Sequence, residues 1–354
     1  MKYAPGRSAM LPLMFLAIVT RLFCAMAVEY SGAHNAAWIC PLIGLILYLP
    51  FAFALQRAAA IGNDSAWGNL EPRLSRPIAA LILLAFAMLL LLDGASMIRM
   101  TASTASYSIG DKAVVTLEIP LALLTGAMIL LGPDAAGHNA RLGLYILGVL
   151  MLIIALVQIP AYRPGWLVPL LGGGIPALLN GGLRCAGYMA LLTLCWMLAV
   201  PDRGKCSPAL CGAIAATVAA LLLLFLQMLS PTFVETELLL PARLELILNN
   251  GRIAVPLQLV YLLVWYGGFL HLISAETVTA ACLLKRLIPG LKPWILALFI
   301  PVAAFLLAEI SFIQELYSHL AAQLLYPVLG VLLLAAMALS ALSKGGGRAC
   351  AKAS

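Results

Sequence analysis

Charge is what this sequence has least of: Asp, Glu, Lys and Arg together make up 10% of its 354 residues, where an ordinary soluble domain carries about a quarter. A water-soluble surface cannot be built from so few ionic side chains, which excludes a soluble enzyme. Cysteine forms no Cys-x-x-Cys pair: Cys24, Cys40, Cys185, Cys195, Cys206, Cys211, Cys282 and Cys350 are scattered. Most are read as small residues of a membrane core, not as metal ligands or disulfides. The histidines His34, His138, His271 and His319 fall in different segments, so no metal site is expected. A Walker loop, a zincin helix motif and a G-x-S-x-G elbow are all missing, and no nucleophile, base and orienting group share a recognisable spacing. No enzymatic activity is expected.

What the sequence does have is apolar length, with 64% hydrophobic residues and a mean hydropathy of +1.05. A helical span takes about 20 apolar residues, so the chain has room for about ten. Apolar runs place them near 8–28, 36–56, 77–98, 116–132, 142–160, 183–201, 208–229, 256–281, 293–311 and 320–342. Lys2 and Arg7 before an apolar stretch, with Ala25-Met26-Ala27 near its end, resemble a cleavable signal, but Arg21 inside the stretch argues against cleavage. With the N-terminus inside, fourteen basic residues fall in inside loops, among them Arg57, Arg141, Lys285 and Lys292, against four outside, Lys112, Arg163, Arg243 and Arg252. The positive-inside rule therefore predicts a multi-pass membrane protein with both termini cytoplasmic. The net charge of +7 is a topology signal and not the footprint of a nucleic-acid partner; the expected surroundings are membrane lipid.

Two connecting stretches are expected to be structured. Residues 161–182 contain WLVPLLGGGIPALLNGG from Trp166 to Gly182, apolar but broken by Pro169, three consecutive glycines and Pro176, which suits a re-entrant or interfacial segment. Residues 231–253 form an extracellular segment in which Glu235 to Asn250 alternate apolar and charged residues at rough helical spacing around Pro241, the pattern of a short surface helix.

Three features together resemble the spore-germination permease-like family, the B subunits of germinant receptors, within the amino acid–polyamine–organocation superfamily. They are the small-residue turn from Ser31-Gly32 to Ala37-Trp38, the proline and spaced glycines between Pro169 and Gly182, and Pro241 and Arg252 preceding a span that bears Trp265. The resemblance implies an all-α membrane fold of LeuT-like type: two five-helix repeats in inverted orientation, about 8–160 and 183–342, in one transmembrane domain. The first and sixth helices would be interrupted around a central site. Half-helix ends and freed backbone groups can hold the ammonium and carboxylate of an amino acid, and Cys185-Ala186-Gly187-Tyr188 is the expected interruption in the sixth span. There is one departure: Leu13 to Glu29 contains neither Gly nor Pro, so a conventional cradle on helix one is not expected.

Ionisable residues within spans mark candidate sites, because each costs about 2.5–3.5 kcal/mol at mid-membrane on insertion scales. Arg21, near the middle of span one, is expected to pair with Asp93 or Glu276 or to bind a ligand carboxylate. Asp93 lies beside Gly94 and Ser96 as an ammonium or cation partner. His271 and Glu276 share span eight, although a five-residue step does not place them on one face. Tyr188 beside Gly187 offers a ring and a hydroxyl suited to closing a site, and Cys24 completes the candidate ligand-binding set. For each, structural packing is the competing reading.

Three functions fit. One is a germinant-receptor membrane subunit that senses a small nutrient, an amino acid by expectation, through a transporter-like site, with receptor A and C subunits as partners in the cell or spore inner membrane. A second is a secondary amino acid transporter coupled to a proton or sodium ion, with no other cofactor. The third is a scaffold subunit with a degenerate pocket.

Overall fold

Apolar runs punctuated by proline and glycine become helices with sharp starts. A computed structural model describes residues 5–24, 31–60, 64–109, 114–159, 162–168, 172–201, 207–229, 254–310 and 329–330. Its principal helices are α1 (Arg7–Cys24), α2 (Cys40–Ala59), α3 (Arg76–Ile109), α4 (Val114–Leu131), α5 (Pro133–Gln158), α6 (Ile175–Leu192), α7 (Pro208–Leu229), α8 (Ala254–Leu287) and α9 (Pro293–Glu309). Pro41, Pro133, Pro176 and Pro293 stand in first turns, where a missing N–H leaves no hydrogen bond unmade. Among the described residues, α2, α3, α5, α6, α7 and α8 are long and apolar enough to cross a membrane, and α4 and α9 are shorter apolar helices. The chain is an integral, multi-pass, all-α membrane protein. The expected tenth span, apart from residues 329–330, and the segment 231–253 lie outside the described residues.

Burial sorts the helices into a centre and a flank. Leu13, Met14, Ala17, Ile18 and Leu22 of α1 are fully buried, as is most of α6 and α8. By contrast, α5 exposes Leu142, Tyr145, Val149, Leu152 and Leu156, the apolar face a bilayer covers. Helices with no hydrophobic drive toward one another approach through small residues. A Cβ on Gly44 of α2 would lie 3.0 Å from the Gly182 carbonyl oxygen of α6 and collide with Cys185, so glycine sets the α2–α6 distance.

Among α1–α4 and α6–α9, the packing pairs come in mates under exchange of helix one with six, two with seven, three with eight and four with nine. α2 packs on α6 as α1 packs on α7; α3 meets α9 as α8 meets α4; α3 meets α4 as α8 meets α9. The pairs α3–α8, α4–α9, α2–α7 and α1–α6 map onto themselves.

The connections divide between two faces. On the N-terminal face, Arg7 Nη2 donates to the Ala59 carbonyl, Arg141 Nη2 to the Ser8 carbonyl, and Arg286 Nε to Glu71 Oε2 at 2.8 Å. Glu71 follows a short helix, Ala66–Leu70, capped by Ser65, whose hydroxyl accepts from the Gly68 N–H. On the opposite face, the 3-10 stretch Ser31–Ile39 receives the Gln227 side chain on its His34 carbonyl at 2.9 Å, and Asn35 donates to the Val168 carbonyl. Gly172 and Gly174 adopt φ of +39° and +87°, and a Cβ on Gly173 would meet the Gly32 carbonyl. The glycine run is there for that close approach.

Two expectations are corrected. Helix six begins at Ile175 rather than near residue 183, so the second half of the expected re-entrant segment forms its first turns; Gly174 with positive φ and Pro176 start it. Cys185 to Tyr188 do not interrupt it, since Gly181, Gly182 and Gly187 are tolerated within the buried helix. The break falls at Thr193, before a last short turn, Leu194–Met197. The Thr193 hydroxyl donates to the Met189 carbonyl at 2.6 Å and sits 2.9 Å from the Tyr48 hydroxyl, a back-bonding geometry that bends helices.

Candidate functional site

Four helices bring one ionic cluster together. Arg21 stands in the last turn of α1, where the negative end of the helix dipole favours a cation. Its Nη2 donates to Asp93 Oδ1 of α3 at 3.0 Å, and the two side chains are 3% and 0% exposed. The guanidinium carbon lies 3.6 Å from the centre of the Tyr188 ring of α6, a cation–π contact strengthened by desolvation. Glu276 of α8 is fully buried and its carboxyl adjoins Asp93. A Cβ on Gly94 would lie 3.2 Å from Glu276 Oε2, so the glycine after Asp93 makes room for the second carboxylate. Among the described residues, neither Glu276 oxygen nor Asp93 Oδ2 receives a hydrogen bond. The cluster therefore holds one guanidinium, two carboxylates and an aromatic face, all away from water.

The other expected residues separate. Gly187 is buried on α6 beside Tyr188. Ser96 lies one turn along α3 from Asp93 and is partly exposed. Cys24 ends α1, and its side chain lies outside the described residues. His271 turns away from the cluster: its imidazole packs against Gly143 of α5, so closely that a Cβ there would collide with it. The five-residue step from His271 to Glu276 directs them to α5 and α3 respectively, as helical geometry requires.

A second ionic group went unread. Arg99 Nη1 donates to Glu118 Oε1 of α4 at 3.1 Å and to Glu309 Oε1 of α9 at 2.8 Å, tying α3, α4 and α9 together. Glu118 is fully buried. It sits inside an apolar run, so the test that selects Arg21, an ionisable residue where hydrocarbon is expected, selects it too. Beside α1 there is also a half-open apolar cavity of about 320 Å³, walled by Phe15, Phe23, Phe225 and Trp265 among others. Trp265 meets Phe23 and Phe269 edge-on, with ring centres 5.8 and 5.1 Å apart.

No family model and no curated protein matches the sequence. The fold does match solved structures. MhsT in complex with L-phenylalanine superposes with a TM-score of 0.69 at 13% identity, covering 94% of this chain and 89% of that one. Mhp1, a nucleobase-cation-symport-1 family transporter in a closed conformation with bromovinylhydantoin bound, gives 0.60 at 12% identity over 94% and 78%. A manganese transporter of Eremococcus coleocola gives 0.53 at 14% identity over 95% and 76%.

This chain has a LeuT-like fold. Its ionic cluster lies where α1 and α6 face α3 and α8. At these identities the likeness establishes architecture alone, and the chemistry of the site rests on this chain's own residues.

Proposed function

We propose that this protein binds a small nutrient, an amino acid, at the junction of α1, α3, α6 and α8, and that binding shifts the bundle between two arrangements. The observation that carries this reading is the meeting of Arg21, Asp93, Tyr188 and Glu276 in one dry cluster. A ligand carboxylate competes with Asp93 for Arg21, and a ligand amino group finds acceptors on Glu276 and Asp93. Buried charge of this kind in a membrane core marks a functional centre.

The finer reading, from the sequence resemblance, is the membrane subunit of a germinant receptor that signals to A and C subunits. Continuity of α1 from Arg7 to Cys24 favours binding without carriage, because that stretch offers no unwound backbone to a substrate. The second reading is an amino acid transporter coupled to a proton or sodium ion, favoured by the fold it shares with transporters and by the surplus carboxylate. The exchange-related packing pairs support two inverted repeats in either case. The basic loops gathered on the N-terminal face support a cytoplasmic location for that face.

Binding and uptake of labelled amino acids in proteoliposomes under an imposed proton or sodium gradient test these readings. Saturable binding without accumulation is the result expected of a sensor, and gradient-driven accumulation makes the protein a transporter. Neither binding nor uptake across the common amino acids overturns the nutrient-site reading and leaves a scaffold.

A further inference from the structure

The binding site proposed above contains an imbalance. Arg21 and Asp93 neutralise one another at 3.0 Å, and Glu276 then stands as a second buried carboxylate with no donor among the described residues. A zwitterion that swaps into the Arg21–Asp93 pair brings no net charge and leaves the surplus in place. The nearest hydroxyls on α8 do not relieve it: Ser274 donates to the Leu270 carbonyl at 2.6 Å and Thr277 to the Ile273 carbonyl at 2.7 Å, both along their own helix.

Three acceptor oxygens have no hydrogen-bond partner among the described residues, namely Glu276 Oε1 and Oε2 and Asp93 Oδ2, and Glu276 Oε2 lies over Gly94, beside the Thr277 methyl. One chemical group answers both charge and hydrogen bonding: a primary ammonium carries a single positive charge and three N–H donors. Charge-assisted bonds to carboxylates are also about twice as strong as neutral ones.

We propose that the ligand of this site carries a net single positive charge, a primary amine or a dibasic amino acid, with its ammonium held between Glu276 and Asp93. The inference rests on the nutrient-site reading and sharpens it from an amino acid in general to a cationic one. Glu276 is the residue that selects for charge, and Gly94, having no side chain, leaves room for its buried carboxylate beside Asp93.

The test is thermal unfolding of the purified protein in detergent at constant ionic strength, titrated with n-butylamine hydrochloride, lysine, alanine, sodium chloride and choline chloride. The expected result is saturable stabilisation by butylamine and lysine at concentrations at least tenfold below those at which alanine acts, with choline inert because it has no N–H. Glu276→Gln removes the amine response. Gly94→Ala, which places a methyl group against Glu276 while leaving the Arg21–Asp93 pair, weakens it at least tenfold and serves where the glutamine variant does not fold. Alanine binding as well as lysine overturns the charge inference and leaves the nutrient site standing. Stabilisation by sodium alone, or a response to pH with none to amines, overturns it in favour of an inorganic cation or a proton. No response to any amine or amino acid overturns both.

Discussion

The guanidinium of Arg21 lies 3.6 Å from the centre of the Tyr188 ring, so the last turn of α1 is held to α6 by a cation on an aromatic face while the same guanidinium binds Asp93 of α3. One side chain thus links three helices, and losing it acts on both contacts at once.

Arg21→Ala strands Asp93 beside Glu276 without the cation that pairs with it among the described residues. Breaking a buried pair from one side costs about 3–5 kcal/mol, so the variant is expected to unfold at markedly lower temperature and to lose ligand response. Asp93→Ala in the same chain is expected to restore most of the stability but not the response, measured by thermal unfolding in detergent and by ligand binding.

Tyr188→Phe keeps the ring over Arg21 and is expected to stay within about 1.5 kcal/mol of the parent. Tyr188→Ala removes the ring from a fully buried position and is expected to cost about 3–5 kcal/mol. Denaturation midpoints of the two variants side by side separate the ring from the hydroxyl.

Gly143→Ala places a methyl group in the His271 imidazole and is expected to cost about 1–3 kcal/mol by overpacking. Combining it with His271→Ala is expected to recover most of that loss, because the methyl then enters vacated space. A recovery near zero in the double-mutant cycle would show that the two positions do not meet.

Gly165 and Gly290 have open space around an added Cβ and lie on opposite faces of the bundle. Cysteines introduced there are expected to fold normally and to label from opposite sides of the membrane, which tests the proposed cytoplasmic location of the face that carries Gly290. The described native cysteines are buried, which keeps their background low.

Arg286 and Glu71 meet at 2.8 Å with side chains 31% and 36% exposed. A pair so accessible is worth about 0–1 kcal/mol. Glu71→Ala is therefore expected to shift the unfolding midpoint little, in contrast to Arg21→Ala, when the two are measured in one denaturation series.

Apolar length by itself determined that this chain crosses a membrane as a helical bundle, because hydrocarbon leaves backbone groups no partner but their own helix. The apolar run from 293 likewise located the start of α9 at Pro293, whereas α5 begins at Pro133, ahead of the apolar run expected from 142. The presence of Arg21, Asp93 and Glu276 in such runs flagged them individually, since each is costly there. Which of them met was decided only by tertiary structure: Arg21 was open to either carboxylate, and although α1 packs on α8, the Arg21 side chain reaches Asp93 of α3 while Glu276 lies over Gly94. The break in helix six was likewise illegible locally, because Gly187 is compatible with a buried helix, whereas the bend at Thr193 depends on a hydroxyl whose other neighbour, Tyr48, belongs to α2. Local chemistry sets the cost of each buried group; only packing between distant segments decides what offsets it.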